Sequence, residues 1–187
     1  GFLELWRSEA GRTAAETRRA FLGDHGVRVE ALDRQALSAL EPSLNPIFSA
    51  ALHHKDSASV DWPGAVVEAY AALFAVRGGT ILRDEVTALS KQGEGWRVTA
   101  KGSHYEADLA VVALGPWSAD LLRPLGLKVP LNVERGYHRH YKPAQGRFLN
   151  RPIYDVEASY MLAPMERGLR LTSGAELAHR DAPDDHA

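Results

Sequence analysis

Cysteine is absent from this 187-residue chain, so it holds no disulfide, no thiolate metal site and no cysteine nucleophile. Long apolar runs are absent too, and nothing approaches the roughly 18 residues of a membrane span. The opening stretch Gly1–Trp6 is too short for a signal peptide and has no basic region before it. Neither sign of charge dominates: 22 Lys and Arg face 24 Asp and Glu, a formal net charge of −2. That balance gives no reason to propose nucleic acid or an anionic membrane surface as a partner. Internal repeats and low-complexity tracts are missing as well. What remains is an ordinary globular composition, 45% hydrophobic and 25% charged, long enough for one or two domains. The expectation is a cytoplasmic protein, with peripheral attachment at the inner membrane as the alternative.

Phe2–Trp6 reads as a strand already under way, and no initiating Met precedes it. The sequence therefore reads as an internal piece of something longer. Arg12–His25 carries an amphipathic helical pattern, and Val27–Val29 alternates like a short strand. Asp33 is placed to cap a helix over 34–40, which Pro42 stops. Ala50–His54 reads as a strand, and Asp61 as the cap of a helix from Pro63 to about Val76. Strands are expected at Thr80–Leu82, Val86–Leu89, Trp96–Ala100 and Ser103–Ala107, then at Val129–Tyr141, Ile153–Val156, Ser159–Leu162 and Leu169–Ser173. The polar tail His179–Ala187 has no periodicity and is expected to fray.

The most informative stretch is Ala107–Tyr141. Its apolar run Leu109–Leu114 stops at Gly115-Pro116 and gives way to a helical pattern over Trp117–Leu122. A short Val-rich run bounded by Gly and Pro reads as a fully buried strand. A strand–Gly–helix junction is also where open α/β sheets place a ligand. In order, the stretch carries Ala107-Asp108, Val111-Val112-Ala113, Gly115, Trp117-Ser118, Leu121-Leu122, Leu125-Gly126, Pro130 and Arg135-Gly136-Tyr137. This series resembles the second flavin-contacting segment of the D-amino-acid oxidase/dehydrogenase superfamily, the FAD-dependent amine oxidoreductases that include glycine oxidase and sarcosine oxidase. Glu41-Pro42 with Leu44, Asp56–Asp61, and Ser159–Ala163 followed by Gly168–Glu176 resemble further segments of that family. Trp62 ahead of Pro63, and Met165 in place of an arginine after Pro164, depart from its pattern.

The resemblance implies a mixed α+β and α/β architecture, part of a two-domain FAD-linked oxidoreductase. Residues 1–60 and 129–187 would form a substrate domain around a mixed antiparallel sheet, and 61–128 the second half of an FAD-binding domain. That nucleotide-binding domain is incomplete here. The family holds the FAD pyrophosphate on a G-x-G-x-x-G unit, and neither Gly23-Asp24-His25-Gly26 nor Gly78-Gly79 has that spacing. The expected cofactor is thus FAD in the intact protein, bound weakly or not at all by this chain.

The resemblance implies Val86 against the adenine, and Ala113, Leu114, Gly115 and Trp117 beside the cofactor. For each the competing reading is structural, a core valine or a plain turn. Tyr160, Tyr137 and His138 are the substrate-binding candidates. Tyr160 could equally fill core with its hydroxyl at the edge. Alternation places Tyr137, Arg139 and Tyr141 on one face of their strand, with His138 and His140 on the other. Two histidines at that spacing have no recognisable third ligand, so no metal is assigned; His53 and His54 read as a strand end. Ser118 lies in no G-x-S-x-G motif, which excludes a serine hydrolase of that type.

The function implied is oxidation of a small amino acid or amine by hydride transfer to flavin. No catalytic residue is assigned, and the carboxylate-binding arginine is expected outside this chain. The partner is a small-molecule substrate; nothing points to nucleic acid or to an oligomeric state. Two alternatives stand beside it: a non-catalytic binding module on a degenerate flavoprotein scaffold, and a flavin oxidoreductase of hydroxyacids or glycerol phosphate.

Overall fold

The computed structural model describes residues 1–183. It divides into two compact units, Gly1–Glu68 with Gly136–Ala175, and Ala69–Arg135 with the segment from Glu176 onward.

The first unit is built on a mixed seven-stranded sheet. Its strands are β1 (Phe2–Trp6), β2 (Glu30–Leu32), β3 (Ala50–His54), β7 (Glu134–Tyr141), β8 (Ile153–Asp155), β9 (Tyr160–Met165) and β10 (Gly168–Leu177), in spatial order β2-β3-β1-β8-β9-β10-β7. β1 runs parallel to β8, while the β2–β3, β1–β3, β8–β9 and β9–β10 pairs are antiparallel. Because side chains alternate along a strand, β1 serves two cores. Leu3 and Leu5 pack with Leu37, Phe48, Ala51 and Ile153 on one side of the sheet. Trp6 packs with Ala15, Leu22 and Leu52 on the other.

Helix α1 (Glu9–Asp24) covers the Trp6 side, and α2 (Arg34–Leu40) supplies Leu37 to the Leu3 side. Ser8 starts α1 as its N-cap, accepting the Gly11 N–H at 2.9 Å, so the helix begins earlier than Arg12. Asp33 caps α2 as its spacing predicts, accepting the Ala36 N–H at 2.8 Å. The short strand expected at Val27–Val29 forms instead at Glu30–Leu32, where it pairs with β3.

Helix α3 (Pro63–Val76) has the expected bounds, but the residue directly before it is Trp62 rather than Asp61, and none of its side chains is buried. Val67 is 69% and Tyr70 70% exposed, so much of its apolar pattern faces outward among the described residues.

The second unit holds a three-stranded meander, β4 (Val86–Gln92), β5 (Gly95–Ala100) and β6 (Ser103–Ala107), in that spatial order. A single-turn helix α4 (Ser118–Leu122) lies between two 3₁₀ turns, Gly115–Trp117 and Arg123–Leu125.

Three expectations are corrected here. Leu109–Leu114 is neither a strand nor buried; Leu109 is 84% and Val111 91% exposed. Thr80–Leu82 likewise forms no strand. A buried parallel strand takes its hydrogen bonds and cover from neighbours on both sides, and no described residue forms a ladder with either segment. The long strand expected from Val129 begins only at Glu134.

The tail is anchored, not frayed, up to Pro183. The Arg180 guanidinium donates to Asp120 Oδ2 at 2.7 Å, and Arg135 donates to the carbonyls of Ala182 and Pro183 at 2.6 and 2.9 Å. Residues 184–187, the rest of that expectation, lie outside the described residues. No helix among the described residues is long and apolar enough to cross a membrane.

Candidate functional site

In the second unit, Val86 opens β4 opposite Ala100 and is 38% exposed. The run Leu109–Leu114 ends at Gly115, which has φ +55 and nothing within 4 Å of where a Cβ would stand. Only glycine takes this backbone freely, and Pro116 then starts the 3₁₀ turn, closed by the Trp117 N–H donating to the Leu114 carbonyl at 3.2 Å. Ala113, Leu114, Gly115 and Trp117 are all exposed, so this predicted cofactor segment is an open apolar edge. Arg180 braces it from behind. Its guanidinium sits 5.6 Å from the Trp117 ring centroid and donates to the Pro116 carbonyl at 3.3 Å. The hydrogen bonds that Arg180 donates to Asp181 and Asp120 hold that guanidinium's pKa above its ordinary value.

In the first unit the candidates divide between the two sides of the sheet. Tyr160 lies opposite Asp155 on β8 and Ser173 on β10, on the same side as the Leu162–Leu171 pair. There it lines a cavity of about 360 Å³ with Phe48, Tyr141, Phe148, Ile153 and Leu162. Its hydroxyl accepts from Arg7 Nη2 at 3.3 Å, and Arg7 in turn holds the fully buried Asp155. Burial, and next the Asp155 carboxylate, push the Tyr160 phenol above its ordinary pKa.

Arg170 lies opposite Ala163, an odd number of residues from Ser173, and therefore on the other side of the sheet. Its Nε is buried without a hydrogen-bond partner among the described residues. His138 and His140 share one side of β7, their rings edge to face at 5.4 Å. Burial first, then the positive charges of Arg167, His138 and Arg170, hold the His140 imidazole below its ordinary pKa.

The structure thus does not gather the three predicted substrate residues at one point. Tyr160 stands on the cavity side, His138 stands with His140, and Tyr137, half-buried, is adjacent to His138 in β7 and points the opposite way. Sequence reasoning missed Arg7, Asp155 and Arg170. The first two meet only through the β1–β8 pairing, which no local pattern announces. Arg170 had a legible signal, a cation between two leucines in an alternating strand.

A D-amino-acid oxidase from Bradyrhizobium diazoefficiens is 29% identical over 159 residues, covering 84% of this chain and 37% of that protein. A D-amino acid dehydrogenase from Allorhizobium ampelinum is 33% identical over 145 residues, covering 73% of this chain and 34% of that protein. The chain thus spans little more than a third of the length of these relatives. Among solved structures, glycine oxidase from Geobacillus kaustophilus superposes with a TM-score of 0.78 at 20% identity, over all of this chain and 50% of that one. L-proline dehydrogenase from P. horikoshii superposes with a TM-score of 0.82 at 14% identity, over 99% of this chain and 51% of that one. The mixed sheet and the meander are therefore the fold of these flavin oxidoreductases. The family model described as DAO, FAD dependent oxidoreductase, matches residues 1–187, and the chain belongs to that family.

Proposed function

We propose that the whole protein is an FAD-dependent oxidoreductase that oxidises the C–N bond of a small amino acid or amine. The observation that carries this is the family match running through every residue from 1 to 187. The relatives named D-amino-acid oxidase and D-amino acid dehydrogenase support the substrate class.

The residues present fit one edge of FAD. At Gly115 the missing Cβ and the open space around it let backbone approach a flat ring closely, and the exposed Leu114 and Trp117 give that ring apolar neighbours. Val86, exposed at the start of β4, is our proposed contact for the adenine, and Ala113 through Trp117 our proposed wall beside the isoalloxazine. The pyrophosphate needs converging backbone N–H donors from a glycine-rich loop, and these 187 residues hold no such motif. When bound, the flavin supplies the electron sink; the protein supplies orientation and charge neutralisation.

On the substrate side, one small molecule cannot touch both sides of a sheet. We assign it to the side of His138, which is exposed. Tyr160 faces the cavity packed by Phe48 and Ile153, with its hydroxyl held by Arg7. Its proposed part, with Tyr137, is to fix the strands beneath the substrate.

The test uses the whole protein loaded with FAD and mixed without oxygen. Glycine, sarcosine or D-alanine should bleach the yellow flavin absorbance, while lactate and glycerol phosphate should not. Bleaching by the hydroxy compounds alone, or by none of the five, would overturn the proposal.

A further inference from the structure

Arg170 poses a specific problem of polar accounting. Buried donors are nearly always hydrogen-bonded, and an exception calls for an explanation. The Arg170 Nε is removed from solvent and has no partner, and no carboxylate pairs with this guanidinium among the described residues. What sets Arg170 apart is the missing counter-charge: Arg135, whose Nε is buried in the same way, pairs with Glu176 at 2.7 Å, and Arg151 pairs with Glu41 at 2.8 Å.

The surroundings of Arg170 sharpen the problem. Across the strand it faces Ala163, and its same-side neighbours along β10 are Gly168 and Thr172. Ala163 and Thr172 are small and do not crowd the guanidinium, while at Gly168 the Tyr141 carbonyl already stands where a Cβ would be. Met161, opposite Thr172 and 37% exposed, gives that side an apolar rim. The remaining groups are cationic or can become so. His140 feels Arg167, His138 and Arg170, and no carboxylate stands among the charges acting on it. Gathering like charges on one strand pair is unfavourable unless something negative answers them.

We propose that Arg170, His138 and His140 form a carboxylate-binding site on the open side of β7 and β10, with Arg170 as its fixed donor fork. This rests on the reading of the substrate as a small amino acid, which carries a carboxylate. An arginine fork matches a carboxylate in two parallel N–H···O bonds, and such charge-assisted bonds are roughly twice as strong as neutral ones. The carboxylate would satisfy the orphaned Nε, while the two imidazoles provide adaptable donors beside it. Met161 would face the rest of the molecule. Here Arg170 takes a role that the resemblance leaves to an arginine outside this chain.

The experiment needs no flavin. The 187-residue chain is titrated with sodium propanoate, and separately with inorganic phosphate, at constant ionic strength. Binding is read from the imidazole C–H resonances of His138 and His140, assigned with H138Q and H140Q. Propanoate should shift both resonances saturably in the millimolar range, and R170M should weaken it about tenfold or more, the scale of a lost charge-assisted pair. R170K should restore part of the affinity. H138Q/H140Q, altered on an open strand side, should weaken propanoate on its own, read by isothermal calorimetry. This keeps the test valid if R170M misfolds.

Shifts that never saturate, or equal affinity in R170M, would overturn the site. Tighter phosphate than propanoate binding would overturn its assignment to carboxylates. Flavin bleaching by amino acids without propanoate binding sinks this inference alone; propanoate binding without bleaching sinks the oxidoreductase reading and leaves the site standing.

Discussion

Arg7 and Asp155 are 148 residues apart in sequence and meet through two guanidinium nitrogens, Nε at 2.7 Å and Nη2 at 2.6 Å from the same carboxylate oxygen. The Asp155 side chain is fully buried while that of Arg7 is 40% exposed, so the two partners are not equivalent. Arg7→Met leaves a buried carboxylate with the Ala158 N–H at 3.1 Å as its remaining hydrogen-bond donor besides Tyr160. Asp155→Asn leaves a guanidinium that water reaches. Removing the cation should therefore lower the urea midpoint of the first unit more than removing the charge on Asp155. Equal midpoints in the two variants would contradict this ordering.

The same network sets the titration of Tyr160. Burial first and Asp155 second raise its phenol pKa, so the stabilisation tied to its protonated form is complete below the ordinary tyrosine value of about 10. It is lost as pH rises through the elevated value. Among the six tyrosines, Tyr160 should ionise late in an alkaline absorbance titration. Tyr160→Phe should delete that late phase, and Asp155→Asn should move it to lower pH. A titration unchanged by either variant would show that the phenol does not feel this carboxylate.

The boundaries that sequence carried best are those with local causes. Asp33 capping α2, and Phe2–Trp6 as a strand, follow from the spacing and type of a few residues. The elements it misread depend on distant partners. Leu109–Leu114 has the composition of a buried strand, but composition does not supply neighbours. The substrate residues fared similarly. Alternation put His138 and His140 together correctly, yet which side Tyr160 takes depends on the β8–β9–β10 register, which no single strand contains.

Glu41 shows what a family motif can be doing physically. It is fully buried, accepting the Asn150 N–H at 2.9 Å and pairing with Arg151 at 2.8 Å. Burial raises its pKa, outweighing those partners. Its stabilising contribution is therefore present below the ordinary glutamate value of about 4.3 and lost as pH rises through the raised one. Arg151→Met should cost about 3 kcal/mol at neutral pH, the scale of a broken buried pair, and distinctly less at a pH where Glu41 is protonated. Denaturant unfolding at the two pH values reads the difference. A penalty independent of pH would mean that Glu41 keeps its charge throughout.

FAD should bind this 187-residue chain weakly, because the Gly115 edge offers apolar contact without a pyrophosphate cradle. Quenching of flavin fluorescence on titration should give a dissociation constant well above micromolar. A sub-micromolar value would show that the edge alone suffices.

Gly168 separates two costs that usually arrive together. It has φ +110, and a Cβ there would lie 2.5 Å from the Tyr141 carbonyl oxygen, a backbone atom with little freedom to move. Gly102 also has positive φ, +94, but a Cβ there would meet nothing within 4 Å. Gly102→Ala therefore carries only backbone strain, about 1–2 kcal/mol. Gly168→Ala adds a steric clash and should cost about 1–3 kcal/mol more. Native-state hydrogen exchange reads each cost in its own strands, β5 and β6 for Gly102 and β9 and β10 for Gly168. If Gly168→Ala is the cheaper change, the β7–β10 edge yields, and the space beside Arg170 is set by the strands' movement rather than by their register. A larger cost at Gly168 means that the Tyr141 backbone is fixed against β10, which is the rigidity a carboxylate fork on that ribbon requires.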